Sequence, residues 1–327
     1  MDDPAKPART GLPAAFRGRL ALPAIAAPMF LVSGPQLVIA ACRAGIVGTF
    51  PALNQRSSAG FEAWLEEIAA ALAEPQATPT APFGVNLIVH KTNPRVAADL
   101  ALCIKHKVPL VITSLGAVPE LVHKVHDYGG LVFHDVTTLR HAEKAAGAGV
   151  DGLILVCAGA GGHAGTLSPF ALLPEVRRLF SGTIVLAGAI SSGRQIAAAR
   201  LMGADLAYLG TRFIASEESM APAGFKAMIA AGHAVDIVYT AAISGIPGNF
   251  LKPSLRAVGL DPDKLPSGTA VKLDLDHETR AWKDVWSAGQ GIGSIEDVPP
   301  VAELVARLVR EYREALDELA AEARARA

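Results

Sequence analysis

Eight short apolar segments, separated by stretches with helical periodicity, most constrain how this chain can fold. They are continuously apolar rather than alternating with polar residues, which is typical of parallel strands buried on both faces. The segments lie at residues 22–28, 45–50, 82–89, 109–114, 131–136, 152–157, 183–188 and 206–211. Between the second and third, Phe61, Leu65, Ile68 and Leu72 recur at helical spacing. The alternation of eight strands with helices favours an α/β fold of the (β/α)8 TIM-barrel type over a doubly wound open sheet.

The periodicity also predicts how the chain is divided. Residues 1–19 are expected to form a flexible leader, and residues 20–216 the barrel. Residues 217–299, rich in Ala, Gly and Pro, are expected to form a smaller, mainly helical cap segment. Apolar residues then recur at helical spacing, so residues 300–327 are predicted to form an amphipathic C-terminal helix that closes the barrel or packs on a partner subunit.

Composition excludes several classes of function. The chain has 30 basic and 31 acidic residues with no basic stripe, which argues against a nucleic-acid partner. Its three cysteines have no CxxC spacing, so we expect free thiols in a reducing compartment and no metal site. Because the sequence shows neither a signal peptide nor a long apolar run, we expect a cytoplasmic protein without membrane spans.

The loops after the seventh and eighth apolar segments predict an anion site. In a TIM barrel, phosphate usually binds to these loops at the C-terminal face. They read AGAISSGR and LGTRF, and both combine small residues with a helix start. Gly188 and Gly210 would let a phosphate approach the backbone closely. The alternative is a pair of tight turns without a ligand.

A single histidine, His163, stands in the glycine-rich stretch LILVCAGAGGHAGTL. The letters GAGGHA match a dinucleotide-binding fingerprint, but Pro169 delays the next helix and the next strand does not end in an acidic residue. We therefore reject that interpretation. A broad, flat ligand above the barrel, beside a bound phosphate, explains the lack of bulky neighbours around His163, and flavin mononucleotide (FMN) has this shape.

Several motifs resemble those of a known family. The segments CAGAGGHAG, VLAGAISSGRQIAAARLMGADLAYLGTRFIAS and PFGVNL are similar to the nitronate monooxygenase (2-nitropropane dioxygenase) family of FMN-dependent TIM barrels, as are DIVYTAAISGIPGNF and WSAGQGIG. The resemblance covers residues 20 to 295. The glycine-histidine and GTRF motifs are shared with flavin-dependent enoyl-ACP reductases and NADH:quinone reductases.

The resemblance implies an enzyme, an FMN cofactor and a set of site residues. His163 would be the catalytic acid/base, and the substrate would be an alkyl nitronate that is oxidised with O2 to a carbonyl compound and nitrite; a homodimer is left open. Asn86 would hydrogen-bond the flavin ring. The remaining implied cofactor contacts are the backbone around Ala27 and Met29 beneath the ring, Gly161 and Gly162 at its edge, and Gly188, Ala189, Leu209, Gly210 and Thr211 at the phosphate.

The chain departs from its relatives at one position. Some relatives carry a lysine at the end of the fifth strand, near the flavin, where this chain has Asp135. A carboxylate there would not stabilise negative charge on a reduced flavin unless Arg140 or His134 compensates for it. This departure leaves the redox properties, and hence the substrate, open.

Two other functions stay open at this point. The first is an NAD(P)H-dependent flavin reductase that acts on an enoyl thioester or a quinone, with Lys252 and Arg256 as a cationic entrance. The second is a barrel that binds flavin or phosphate without turnover.

Other polar and aromatic residues are weaker candidates. Ser114, at the end of the fourth strand, is placed to touch flavin or substrate, whereas His123 and His126 are expected to lie on a solvated helix face. The others are Cys157, expected in the core, and Tyr239, Phe250 and Trp286, which would fill a core or wall an apolar pocket in the cap.

Overall fold

A closed barrel of eight parallel strands forms the centre of the computed structural model, which describes residues 11–116, 118–265 and 285–326. The strands occur in the order β1-β2-β3-β4-β5-β6-β8-β9, and β9 closes the barrel on β1 through pairs such as Ala24 with Ala207. This order confirms the predicted TIM barrel. In chain order the strands are β1 (Ala24–Ala26), β2 (Val47–Pro51), β3 (Phe83–Ile88), β4 (Leu110–Ser114), β5 (Leu131–Val136), β6 (Gly152–Val156), β7 (Gly162–His163), β8 (Thr183–Ala187), β9 (Leu206–Leu209), β10 (Ile237–Thr240) and β11 (Gly248–Leu251).

Helices surround the barrel and follow the strands. Several begin at side chains that accept a backbone N–H, among them Ser57, Thr138 and Ser192, which satisfy otherwise unpaired donors of the first turn. The helices are α1 (Pro35–Arg43), α2 (Ser58–Ala73), α3 (Val96–Lys105), α4 (Pro119–His126), α5 (Leu139–Gly147), α6 (Pro169–Leu179), α7 (Gly193–Leu201), α8 (Thr211–Ile214), α9 (Ala223–Ala230), α10 (Lys252–Ala257) and α11 (Val301–Ala325). No helix within the described residues is long and apolar enough to span a membrane.

The barrel interior is apolar at its N-terminal end. Side chains of Ile25, Leu110, Phe133 and Ile154 are completely buried there and form one cluster inside the barrel. A larger cluster fills the space between the strands and the surrounding helices. The strands are buried on both faces, which explains their continuously apolar sequences.

Residues 11–19 pack against the N-terminal end of the barrel, whereas the sequence predicts a flexible leader over 1–19. Phe16 is completely buried in the barrel's interior cluster, and its ring meets that of Phe133 edge-on with centroids 6.0 Å apart. Thr183 Oγ1 also donates a hydrogen bond to the carbonyl oxygen of Gly11. Burial of this large aromatic side chain holds the segment in place; residues 1–10 of the predicted leader lie outside the described residues.

The long C-terminal helix is present as predicted and packs on the barrel's own helices α7 and α1. Glu311 accepts a hydrogen bond from the backbone N–H of Gly193 at the start of α7. Ala327 lies outside the described residues.

The predicted cap range 217–299 contains α9 and α10 together with a hairpin, β10 and β11, which extends to a three-stranded sheet through β7. Residues 266–284 of this range lie outside the described part. Cap residues such as Phe225 and Ile229 form a separate apolar cluster with Ile214 and Ile292. The division into barrel, cap and C-terminal helix remains a prediction.

Candidate active site

A cavity of about 790 Å³ lies at the C-terminal ends of the barrel strands. Such cavities are where TIM barrels bind ligands. Every barrel strand contributes to it, either directly or through the residue just after its end. These residues are Ala27, Pro51, Asn86, Ile88, Ser114, Asp135, Val156, Ala187, Tyr208 and Gly210.

A chain of polar side chains forms part of the cavity floor. Asn86 Nδ2 donates to Ser114 Oγ at 2.7 Å, and Ser114 Oγ donates to Asp135 Oδ2 at 2.6 Å. The other carboxylate oxygen, Asp135 Oδ1, is buried and has no hydrogen-bond partner among the described residues, and the same is true of the Tyr208 hydroxyl. Buried polar atoms are almost always paired, so these two atoms are exceptions among the residues of the cavity wall.

Burial controls the ionisation of this floor. It raises the pKa of Asp135 to about 6, opposed only by the Ser114 hydrogen bond, and it raises the pKa of Tyr208 with a further contribution from the Asp135 charge. Neither His134 nor Arg140, the two residues proposed to compensate Asp135, forms a hydrogen bond or an ion pair with its carboxylate among the described contacts. Arg140 is exposed, and His134 bonds Thr113 Oγ1 at 2.7 Å, while burial lowers the pKa of His134 to about 4.

The glycine-rich loop carries His163 over the cavity. His163 and Gly162 form β7, which pairs with Gly248 and Asn249 of β11. The loop is held from both sides, because Gly162 N–H donates to Ser287 Oγ at 2.6 Å and Asn249 Nδ2 donates to the Ala160 carbonyl at 2.6 Å. His163 is half-buried, and its Nε2 lies 3.5 Å from Ser244 Oγ.

Two different causes require glycine in this loop. Gly162 has a φ of +70°, a conformation that favours glycine, and a Cβ there would meet nothing within 4 Å. At Gly161 a Cβ would lie 2.9 Å from the backbone nitrogen of Gly289. The sharp turn at Gly162 and the close approach of residues 285–291 at Gly161 therefore account for two glycines that the sequence attributes to a flat ligand. Gly162 also leaves open space in the cavity wall.

The loops after β8 and β9 meet beside this loop. Gly188 has a φ of +137°, and a Cβ there would lie 2.9 Å from the Ala158 carbonyl oxygen. Ala189 also has a positive φ, of 53°. A Cβ on Gly210 would come no closer than 3.7 Å to Met29, which is ordinary contact.

The start of helix α7 is already occupied by protein groups. Gln195 Oε1 accepts from the backbone N–H groups of Ser191 and Ser192, and Glu311 accepts from Gly193. An anion at these loops would therefore be held by the backbone before α7, around Gly188 and Ala189, rather than by the first turn of the helix.

The structure brings together all but one of the residues implied by the resemblance. The residues that line the cavity are Ala27, Met29, Asn86, Gly161, Gly162, His163, Gly188, Ala189, Gly210 and Thr211. The Leu209 side chain does not line the cavity, because it is completely buried between the barrel and the helices. Its carbonyl oxygen accepts a hydrogen bond from Ala27 N–H, so Leu209 acts through its backbone in joining β9 to β1.

The weaker candidates separate into two groups. Ser114 and Trp286 line the cavity, and Trp286 stacks on Phe225 with ring centroids 4.9 Å apart. The remaining residues do not line it: these are His123, His126, Cys157, Tyr239, Phe250, Lys252 and Arg256. A different cationic side chain, the exposed Lys144, lies at the cavity instead.

Tyr208 and Ser287 are the site residues that sequence reasoning missed. Tyr208 lies two positions after Leu206 in β9, so alternation places both side chains on the inner face of the barrel. That spacing could have identified Tyr208. Ser287 carries no such signal, because its partner Gly162 is 125 residues away in the sequence.

Comparisons with known proteins agree with this geometry. A family model described as nitronate monooxygenase matches residues 93–311. A nitronate monooxygenase of Paraburkholderia phytofirmans is 28% identical over 91% of this chain and 94% of its own length. A solved nitroalkane oxidase of Streptomyces ansochromogenes has a TM-score of 0.79 at 27% identity, covering 94% of this chain and all of that one.

A relative of different name is equally similar in sequence. The (3aS,4S,5R,7aS)-5-hydroxy-7a-methyl-1-oxo-octahydro-1H-indene-4-carboxyl-CoA dehydrogenase of Mycobacterium tuberculosis is 29% identical over 76% of this chain and 67% of its own length. This chain spans only 63% of two further relatives.

Proposed function

The chain belongs to the nitronate monooxygenase family, and from this premise we propose that it is an FMN enzyme that oxidises alkyl nitronates with O2 to a carbonyl compound and nitrite. The observation that carries the proposal is His163, held by β7 over a cavity to which all eight barrel strands contribute. When bound, FMN would supply the redox chemistry, accepting electrons from the substrate and passing them to O2.

The residues present fit FMN in three respects. The cavity volume is within the range of ligand sites, and its wall is open at Gly162. The floor offers the polar side chains of Asn86, Ser114 and Asp135 to a polar ligand. The backbone around Gly188 and Ala189, next to Gly210 and Thr211, would hold the phosphate; the floor residue Asn86, with Ala27, Met29, Gly161 and Gly162, would contact the ring.

His163 is proposed to exchange a proton with the substrate carbon through its imidazole. An imidazole has two ring nitrogens that can accept and donate a proton, which suits it to general acid–base chemistry. The backbone of His163 is fixed by the pairing of β7 with β11. Substrate binding therefore costs little further conformational freedom of this backbone.

The cap segment is proposed to exclude water from the reacting groups. Met220, Phe225 and Trp286 of the cap line the cavity together with Ile214 of α8, and all four side chains are largely apolar. A dry wall strengthens each electrostatic interaction between the substrate and the polar floor.

The proposal is tested by anaerobic mixing of the FMN-loaded protein with an alkyl nitronate, and separately with NADH and NADPH. Bleaching of the flavin by the nitronate but not by the nicotinamides, followed by nitrite release on admission of air, is the expected result. A protein that takes up no FMN, or that is reduced only by a nicotinamide, would contradict the proposal.

One observation favours a second candidate, a flavin reductase or dehydrogenase that acts on a thioester. Lys144 lines the cavity and is exposed, so it offers positive charge to a phosphate-bearing carrier, and one relative is named as a CoA-thioester dehydrogenase. Flavin reduction by NADH or NADPH alone would favour this candidate. Bound FMN that no donor reduces would instead indicate a barrel that binds flavin without turnover.

A further inference from the structure

The mouth of the cavity is lined by different kinds of side chain on its two sides. At or beyond the ends of β1, β2, β3 and β4, which are neighbours in the barrel, bulky apolar side chains line the rim. This apolar rim consists of Phe30, Leu31, Leu53, Ile88 and Leu115, and none of the five is fully buried. Around His163 and in the loops after β8 and β9, the lining is mostly glycine and other small residues. The apolar rim therefore offers hydrocarbon surface to a ligand on a different side from the small-residue loops.

Two residues of the apolar rim have a strained backbone. Among the described residues, φ is positive at four that are not glycine, namely Leu31, Lys107, Leu115 and Ala189. Three of the four line the cavity, and φ is 58° at Leu31 and 63° at Leu115. Leucine is disfavoured in this left-handed conformation, which glycine adopts readily. Strain of this kind is concentrated at ligand sites, so it points to a role for these two side chains there.

Asn54 holds the conformation of Leu31 from outside the cavity. Its Oδ1 accepts a hydrogen bond from Leu31 N–H at 2.9 Å, and its Nδ2 donates to the carbonyl oxygens of Met29 at 3.0 Å and Ser33 at 2.7 Å. Asn54 itself does not line the cavity. The amide of Asn54 thus fixes the loop on both sides of Leu31 and leaves the leucine side chain at the rim.

We propose that the hydrocarbon group of the substrate lies against the apolar rim, that Leu31 is a specificity-determining residue for it, and that Asn54 positions Leu31. The proposal rests on the proposed function, and it narrows the substrate to nitronates with a hydrocarbon chain of several carbons. Each methylene group that the rim covers is expected to tighten binding by about fourfold, because apolar surface leaves water. The nitronate of nitroethane is too short to cover the rim.

The test compares the binding of hexanoate and acetate to the FMN-loaded protein by calorimetry. A carboxylate is planar and anionic like a nitronate but is not oxidised, so the measurement does not depend on turnover. Hexanoate is expected to bind about tenfold more tightly than acetate or better, and in Leu31→Ala this preference is expected to fall by about fivefold. Leu31→Gly, which also relieves the backbone, is expected to give the same loss, because the lost contact is that of the side chain.

Asn54→Ala separates positioning of Leu31 from general stability. It is expected to raise the KM for the nitronate of 1-nitrohexane more than the KM for the nitronate of nitroethane, with kcat unchanged for both substrates. An equal effect on both substrates, or a loss of bound FMN that accounts for the change, would overturn the positioning role of Asn54.

Leu201→Ala is the matched control, because Leu201 is 64% exposed at the end of α7 and does not line the cavity. Equal affinity of the parent protein for the two carboxylates would overturn the proposal, as would an unchanged preference in Leu31→Ala. A preference that Trp286→Leu removes and Leu31→Ala keeps would also overturn it, since the hydrocarbon would then lie against the cap. Failure to bind FMN, or a retained chain-length preference without bleaching by either nitronate, would instead overturn the proposed function.

Discussion

At the scale of single residues, the site consists of a half-buried histidine above a floor of buried polar groups. The two are supported differently. His163 depends on the pairing of a two-residue strand, whereas Asp135 depends on a hydrogen-bond chain that starts on β3. A substitution of His163 is therefore expected to change turnover without loss of FMN binding, whereas a substitution of Asp135 is expected to change stability.

Replacing His163 by Ala is expected to lower kcat with an alkyl nitronate by about 10²- to 10⁴-fold, which is the usual loss for a general acid or base. FMN absorbance per protein is expected to remain, because the loop's bonds to Ser287 and Asn249 do not involve the imidazole. Steady-state nitrite release and the flavin spectrum measure the two effects. His123→Ala, on the exposed face of α4, is the control. A His163→Ala protein of normal kcat would remove the acid/base role.

Asp135 makes the stability of the FMN-free protein depend on pH. Its pKa in the folded state, about 6, is above its usual value of 3.8, so ionisation costs folding free energy. This cost is absent well below pH 3.8, grows as the pH rises from 3.8 to 6, and is complete above 6. Asp135→Asn is expected to raise the free energy of unfolding by about 2 kcal/mol at pH 7.5, allowing for partial exposure, and by much less near pH 4.

Urea unfolding of both proteins at the two pH values checks this expectation. The contribution of His134, whose pKa is lowered, is the same in both proteins and cancels in the comparison. An equal gain at pH 4 and pH 7.5 would mean that packing rather than charge is responsible.

At the scale of elements, the sequence predicted strands better than the contacts between distant segments. The eight barrel strands are continuously apolar because helices cover them, and this pattern is local. The short strand β7 has only two residues and exists through its pairing with β11, about 85 residues later, so no local pattern indicates it. Phe16, which is completely buried, likewise falls in the predicted leader, because a single aromatic residue carries no periodicity.

The same limit applies to the glycines of the site. From the sequence, the glycines around His163 indicate a flat ligand, but Gly161 also makes room for the backbone of Gly289. The resemblance includes Leu209 among the phosphate contacts; alternation along β9 directs its side chain away from the cavity, so such a contact would be made by its backbone.

The contact between helices α7 and α11 depends on one glycine. A Cβ on Gly193 would lie 2.1 Å from the Leu308 carbonyl oxygen and 2.6 Å from Glu311 Cβ. Gly193→Ala is expected to destabilise the protein by about 1–3 kcal/mol, since the helix must move and Glu311 loses its hydrogen bond to this residue's N–H.

Chemical denaturation measures the change in the free energy of unfolding. The FMN content per protein is measured as well, and it is expected to stay unchanged. Gly147→Ala in α5 is the control, because a Cβ there meets nothing within 4 Å and alanine favours helix by up to about 1 kcal/mol. Equal stabilities of the Gly193→Ala protein and the parent would contradict the packing described for α11.

At the scale of the whole molecule, the barrel divides stability from chemistry between its two ends. The N-terminal end is filled by apolar side chains and closed by residues 11–19, whereas the C-terminal end carries the cavity, its polar floor and the cap. This division is general for TIM barrels, in which loops at the C-terminal face supply the ligand contacts. The apolar side chains inside the barrel, among them Phe133, lie between the N-terminal end and the cavity.

Phe16→Ala tests this division. Phe16 is completely buried against Phe133, so truncation is expected to cost about 3–5 kcal/mol of unfolding free energy. The dissociation constant of FMN is expected to stay within about twofold of the parent value, because additivity holds for well-separated sites. Phe170→Ala is the control, since Phe170 is 75% exposed and its loss leaves no cavity. If Phe16→Ala weakened FMN binding tenfold at a temperature where it remains folded, the two ends would be coupled through the barrel interior, and the floor around Asp135 would depend on the packing beneath it.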